Sequence, residues 1–474
     1  MTGPVADPAS FRDPAGRVYR AGERILRTVS PEIAADFEQL RASGLIDDLV
    51  ARGWLISSDT ADLAELDSFA AMLGDGVHAV IEHPRLPVIS YPYEWGFSQL
   101  KAAALLHLDV HLAALERDAT LCDASAYNVQ FLGAQPLFID LLSFRPYRDG
   151  QFWEGYRQFC EQFLNPLLLH AYCGVPHNAW FRGRIAGIPS AELSRLIPLR
   201  RRFSKRVLTH VVLHAALSKS VHKPKTELAA NAKQAGLPKS RLVGMLTGLR
   251  SWIDGLAPAG STATYWGDYS QFKTYSDDET AAKHDFVRRF VVDVQPGMLW
   301  DLGCNTGDFA MTALDGGAGY VVGWDNDLGA LDIAFARSRK AGTSFTPLYG
   351  DACDPTPAQG WAEQERAGWQ GRGAVDAVLA LALIHHLAIT NNVPLEAIVS
   401  WLVDLAPCGV VEFVGKEDSQ VRGMLGLRDD IFPDYTLEGF LNILGGRAKI
   451  VERLSLSPGG RELVWYDARD TSAG

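Results

Sequence analysis

LWDLGCNTGDFA, Leu299 to Ala310, begins as an apolar run, turns at glycines and continues into a helix-forming segment. That order reads as a strand, a tight turn and a helix. Gly303 and Gly307 bracket the turn. Glycine lets the backbone bend sharply and approach a ligand closely. The helix beyond it offers N–H groups that lack intrahelical partners. A dinucleotide loop carries a glycine in the middle, whereas this turn carries Asn305. Asparagine tolerates a left-handed backbone better than most residues, so the turn is kept. An acid, Asp301, opens the stretch. A carboxylate there suits a ligand with a cationic amino-acid end rather than a phosphate.

From about residue 259 apolar strands and helical patterns alternate: MLWDLGC, GYVVGWD, SFTPLYGD, VDAVLALAL and GVVEFV. The alternation predicts an α/β domain with a parallel sheet. AKIVERLSLS and RELVWYDAR, joined through Pro-Gly-Gly, predict a terminal antiparallel hairpin. GWDND places Asp325 24 residues after Asp301, at a strand end. A carboxylate there accepts both hydroxyls of a ribose. YGDAC places Asp351 at the next strand end, where it can take an adenine amino group. Each acid alone also reads as a loop cap.

These residues resemble the class I S-adenosylmethionine-dependent methyltransferases over about residues 260–474. DLGCNTG is similar to their first motif, GWD to the second, GDA to the third and DAVLALALIHHL to the fourth. The resemblance implies a Rossmann-like domain, a mostly parallel seven-stranded sheet closed by an antiparallel hairpin. It implies S-adenosylmethionine as cofactor, with Asp301, Gly303, Asn305 and Gly307 at the methionine part, Asp325 at the ribose and Asp351 at the adenine. The pre-domain segment TYWGDYSQFKTYSDDET holds Tyr265, Trp266, Tyr269, Lys273 and Tyr275. In such enzymes this segment often folds over the cofactor, which implies cofactor contacts for Lys273 and Tyr275. Packing against the sheet edge is the competing account. TYWGDYSQFKTYSDDET and RDDIFPDYTLEGF also resemble a bacterial methyltransferase family associated with host-specific nodulation, a likeness that extends to DASAYNVQF. It implies a small-molecule or glycan acceptor.

LIHHL sets His385 and His386 just past the fourth strand. A histidine there suits general-base work, because its ordinary pKa lies near neutrality. Packing or helix capping is the alternative for either ring. Glu412 lies inside an apolar strand, where a carboxylate wants a partner. It joins the two histidines as a catalytic candidate, while Lys416 and Asp418 read as a solvated loop.

The front of the chain predicts an α+β, mostly helical domain over 1–205. A helical and basic connector over 206–258 and the methyltransferase domain over 259–474 follow. SQLKAAALLHLDVHLAALE is a helix with Ser98 as N-cap, and LPVISYPYEW reads as a strand broken at Pro87 and Pro92. In CDASAYNVQFLGAQPLFIDLLSF, Asp123 and Asn128 are five apart and Asp140 follows twelve later. Protein-kinase catalytic loops use that Asp-to-Asn spacing before a metal-binding Asp, so the lobe resembles a degenerate kinase. No lysine precedes Lys101 and no glycine-rich phosphate loop is visible. Phosphate transfer or ATP binding by the front domain is therefore the second functional reading, against a helical accessory domain in which Asp123 and Asn128 cap a turn. A non-catalytic partner protein that keeps the cofactor fold for structure is the third, and the intact Asp301, Gly303, Gly307, Asp325 and Asp351 argue against it.

The bulk numbers exclude several classes. Lys and Arg total 45 against 56 Asp and Glu, so 45 − 56 gives a net charge of −11 and no general nucleic-acid binder. One stretch departs from that average. Between Arg195 and Arg241 twelve Lys and Arg face one acid, Glu227. It reads as a solvated helical face or a surface for an anionic partner. An RNA substrate is an alternative that this stretch keeps open, although strand four ends in LALIHH and not in the N-P-P-Y-type tetrapeptide of base-amino methylation. The six cysteines show no C-x-x-C and no paired Cys/His spacing, so no disulfide framework or metal site is expected. A reducing cytoplasm fits. The N-terminus does not read as a signal peptide, and no apolar run predicts a membrane span. Oligomeric state leaves no trace in the sequence.

Overall fold

The computed structural model describes residues 4–62, 69, 73, 76–213, 215, 236–259, 276–372, 375–426, 429–457 and 460–470. The chain forms two compact units. The first comprises Met1–Phe131, Gln135–Ser261 and Ala358–Arg366; the second comprises Leu132–Ala134, Thr262–Pro357 and Ala367–Gly474.

The first unit opens on an antiparallel sheet with strand order β1-β2-β3-β5-β4. Its strands are β1 (Val5–Ala6), β2 (Val18–Ala21), β3 (Arg24–Val29), β4 (Asp59–Thr60) and β5 (Ala79–His83). Two helices follow β3, Ala34–Ala42 and Leu45–Ala51, separated because Gly44 takes a left-handed backbone with φ 70° between them. The long apolar helix is Phe97–Glu116, two residues earlier than an N-cap at Ser98 predicts. Its N-cap is Gly96 and not Ser98, since the Gln99 side chain accepts the Gly96 N–H at 3.0 Å. LPVISYPYEW is not a strand. Proline has no N–H to give a ladder, and the Gln130 side chain satisfies the segment instead, accepting the Ser90 N–H at 2.8 Å and donating to the Ser90 carbonyl at 2.9 Å. Then follow β6 (Ala119–Leu121), the hairpin β7 (Val129–Leu132) and β8 (Gln135–Phe138), and β9 (Phe144–Pro146), which pairs with β6.

The second unit is a seven-stranded sheet in the order β12-β11-β10-β13-β14-β16-β15. β10 (Met298–Leu302), β11 (Tyr320–Asp325), β12 (Phe345–Tyr349), β13 (Ala377–Ala380) and β14 (Cys408–Val414) are parallel. β16 (Arg461–Asp467) runs antiparallel between β14 and β15 (Lys449–Ser457). The terminal hairpin read from the sequence is therefore present, inserted with its second strand inward. Register puts Gly323, Asp301, Leu379 and Val410 in one row across four strands. In a strand, alternate residues share a face, so Leu299, Asp301, Leu379, Val410 and Glu412 lie on one side. The helix Asp277–Val294 packs there through Phe286, Val287, Phe290 and Val291. On the opposite face the Tyr466 hydroxyl donates to the carbonyls of Leu402 and Ala406 at 3.0 Å each, tying down the helix Leu395–Leu405. The strand order reverses at β10, whose neighbours are β11 and β13. Open α/β sheets bind ligands beyond the carboxyl ends of the strands at such a point.

Candidate active site

The loop after β10 is shaped by three left-handed residues: Gly303 at φ 77°, Asn305 at φ 48° and Gly307 at φ 82°. Asn305 holds its conformation through its own side chain, whose oxygen accepts the Thr306 N–H at 2.8 Å. Gly307 is bound to be glycine twice over. Its backbone is left-handed, and a Cβ would lie 2.4 Å from the Phe345 ring. It caps the helix Asp308–Asp315. The loop is pinned to β11 by the Gly303 and Cys304 N–H groups, which donate to the Trp324 carbonyl at 2.8 and 3.1 Å. Gly323 makes room for it, because a Cβ there would meet the Cys304 sulfur at 2.7 Å.

Asp301 is 2% exposed, and its Oδ2 has no hydrogen-bond partner among the described residues. Burial, with Asp325 nearby, pushes its carboxyl up to about 7. Asp325 ends β11 and collects two backbone donors, the Asn305 N–H at 2.7 Å and the Asp327 N–H at 2.8 Å. Burial still raises it to about 6. Asp351 follows β12 and accepts the Cys353 N–H at 2.8 Å, so it is also a turn residue. Beside it Gly350 lies under two indoles: a Cβ there would meet Trp369 at 2.2 Å and Trp324 at 2.8 Å. Trp300, Trp324 and Trp369 form one aromatic cluster, with the last two rings 4.3 Å apart. The sequence reading did not mark these tryptophans.

These residues fit S-adenosylmethionine. A buried carboxylate oxygen with no partner suits an ammonium group. A strand-end carboxylate that keeps free lone pairs after two backbone bonds suits a ribose diol. Lys273 and Tyr275, with Tyr265, Trp266 and Tyr269, lie outside the described residues, so their contacts with the cofactor stand as expectations.

Beyond β13 the backbone enters a left-handed residue, Ala382 at φ 50°, and then a wide π-helical turn over His386–Thr390. The His385 and His386 rings lie against each other, tilted by 39°, with centroids 4.2 Å apart. His385 is fully buried and burial holds its pKa well below the ordinary value. His386 is half-buried, and burial lowers it as well. Glu412 is fully buried in a charge cluster. Lys283 donates to it at 2.8 Å and Arg461 lies 3.4 Å away; Arg461 also pairs with Asp418 at 2.9 Å. Burial lowers the Lys283 ammonium against the pull of Glu412. Lys416 and Asp418 are not a solvated loop. Lys416 pairs with Asp430 at 2.7 Å, and Asp418 caps the helix Ser419–Leu425. Arg461, 3% exposed, is a residue the sequence reading missed, although an arginine opening an apolar strand is a signal of the same kind as Glu412.

In the first unit, the chain brings Asp123, Asn128 and Asp140 together. The Asn128 amide donates to Asp123 at 3.0 Å and to Asp140 at 3.1 Å. Arg27, on β3, lies over them and pairs with Asp140 at 2.7 Å and with Asp13 at 2.6 Å. Burial and the Asp140 charge raise the Asp123 carboxyl.

No protein-family model matches the chain. The nodulation protein NoeA of Rhizobium meliloti (strain 1021) is 44% identical over 457 residues, covering 96% of this chain and 94% of its own. The N-methyltransferase NodS from Bradyrhizobium japonicum WM9 aligns at 12% identity and TM-score 0.31, over 40% of this chain and 97% of its own. The magnesium protoporphyrin IX methyltransferase from Synechocystis PCC 6803 aligns at 18% identity and TM-score 0.29, over 40% of this chain and 83% of its own. The second unit has the mostly parallel seven-stranded sheet with a terminal antiparallel hairpin that the class I methyltransferase resemblance implies, and the chain belongs to the family of the nodulation protein NoeA.

Proposed function

We propose that the second unit transfers a methyl group from S-adenosylmethionine to a small-molecule or glycan acceptor. One observation carries the reading: the buried, unpartnered oxygen of Asp301 stands next to a left-handed glycine loop whose Asn305 is bonded to Asp325. When bound, the cofactor supplies an electrophilic methyl on a sulfonium. The chain's own residues position and deprotonate. Asp301 holds the ammonium end, Asp325 the ribose and Asp351 the adenine side, and Lys273 and Tyr275 are proposed to cover them. Holding the acceptor in line with the methyl is the main contribution. The His386 imidazole, depressed and half-buried, stays neutral near pH 7 and takes the acceptor's proton. His385, whose tilted ring lies against it, is a positioning residue. Glu412 orders Lys283 and Arg461 beside the strand end. The name of the relative supports a role in nodulation for this chain too.

Calorimetry tests the cofactor assignment. S-adenosylhomocysteine should bind the native protein, and Asp325→Ala should weaken binding by about tenfold to a hundredfold, the worth of charged hydrogen bonds. Unchanged affinity would remove Asp325 from the ribose site.

A second reading rests on the first unit. The Asp123, Asn128 and Asp140 cluster supports a kinase-like lobe that binds ATP or transfers phosphate. Arg27 weighs against it, because its guanidinium already neutralises Asp140, where a metal ion would bind. Titration with magnesium and ATP should show weak or no binding. Tight binding abolished by Asp140→Ala would favour a two-activity enzyme.

A further inference from the structure

The segment Arg195–Leu213, which begins in the last turn of the helix Ser190–Leu196, is sorted into two kinds of side chain. Ile197, Val207 and Val211 are at most 1% exposed and anchor it. Outward stand Leu196 at 51% exposure, Leu199 at 68%, Phe203 at 83%, Leu208 at 41% and Leu213 at 50%. Between these lie Arg195, Arg200, Arg201, Arg202, Lys205 and Arg206, and the run from Arg195 to Leu213 contains no Asp or Glu. None of the six cations pairs with a carboxylate among the described residues. Two of them are held by neutral groups. Arg202 donates to the carbonyls of Ile197 at 2.9 Å and Arg195 at 2.7 Å, and Arg201 lies 4.7 Å over the Tyr172 ring. Those contacts order the segment and leave every charge in place.

The mixture identifies the partner class. Cations alone fit any anionic surface. Four exposed leucines around a phenylalanine ask for an apolar medium as well. At a bilayer surface the cations meet lipid phosphates while the aromatic and aliphatic side chains enter the acyl boundary. A single-stranded nucleic acid would use the cations and stack on Phe203 but leave the leucines in water. No helix among the described residues is long and apolar enough to cross a membrane, so contact of this kind lies in the interface plane. We propose that Arg195–Leu213 docks the protein on an anionic phospholipid surface. The inference is independent of the methyl-transfer reading.

The full chain is sedimented with vesicles of mixed phosphatidylglycerol and phosphatidylcholine, and with phosphatidylcholine vesicles alone. It should associate with the first, not the second, and release as salt screens the charges. Leu199→Ser with Phe203→Ser should weaken association by about tenfold or more through lost apolar insertion. Arg200→Glu with Lys205→Glu and Arg206→Glu should abolish it. These three side chains make no hydrogen bond or ion pair among the described residues, and far-ultraviolet dichroism confirms that the variant is folded. Absence of association with anionic vesicles overturns the proposal. So does equal association of the serine variant. Retention of a single-stranded RNA oligonucleotide without vesicle association would replace the lipid by nucleic acid.

Discussion

Asp301 couples cofactor binding and stability to pH in opposite senses. Its folded carboxyl sits at about 7, above the ordinary carboxylate value. Between those values the folded state holds a proton that the unfolded state has released. Stability therefore falls as pH rises through that window, and the full cost is present above about 7. Asp301→Asn removes this residue's share and leaves that of Asp325, so the variant should gain stability relative to the native chain as pH rises from about 5 to about 8, read from denaturant midpoints. Affinity for S-adenosylhomocysteine should rise over the same window more steeply in the native chain than in the variant, because an ammonium needs the anion and the variant keeps only the titration of Asp325. Glu412 responds differently. Glu412→Gln leaves Lys283 buried without its counter-charge and Arg461 with Asp418 alone, and should cost about 3–5 kcal/mol in chemical denaturation. The loop residues were legible one by one. Asn305 reads correctly from its chemistry alone, and its φ of 48° is what an asparagine tolerates. Gly323 was not, since its need arises from Cys304, a neighbour nineteen positions earlier in sequence that reaches it only through the fold.

The turn after β13 carries the proposed chemistry. A left-handed Ala382 and a π-helical turn are both uncommon, and both cluster where a ligand must be met. His386→Asn should lower kcat about a hundredfold, the usual worth of a general base, with KM for the acceptor little changed. The acid limb of the native pH profile should lie below 6.5, since burial lowers the imidazole and the base form persists to lower pH. Both histidines were visible in LIHHL, but the wide turn was not, because no local pattern separates it from an ordinary helix start. The strands β10 to β14 were readable because each is an apolar run, and all but β13 run into glycine or acid. LPVISYPYEW had the same composition and failed. Its backbone partner is the distant side chain of Gln130, and a strand pattern does not reveal that the ladder is missing.

Across the chain, legibility falls from the second unit to the first. Parallel βα repeats announce themselves through their period. The first unit is assembled from contacts distant in sequence, such as Arg27 with Asp140. Its Asp-to-Asn spacing was visible, but the cation over it was not, because β3 is remote from both acids in sequence. Two units with separate cores should melt in two steps if each folds on its own. S-adenosylhomocysteine at a hundred times its Kd stabilises its host unit by about 2.7 kcal/mol and should raise one transition only. Arg27→Ala should lower the other, as removing one partner of a buried ion pair costs about 3–5 kcal/mol. Coincident shifts of both transitions would show that the units unfold together.

Of the six free cysteines only Cys353 is exposed. It stands two residues past Asp351, and its N–H donates to the Asp351 carboxylate. Cys304, in the glycine loop, is buried with its thiol raised well above the ordinary value, so it stays protonated and unreactive. A maleimide dye should therefore label the folded chain first at Cys353, beside the proposed adenine edge. Its fluorescence would then read cofactor occupancy directly, without knowledge of the acceptor.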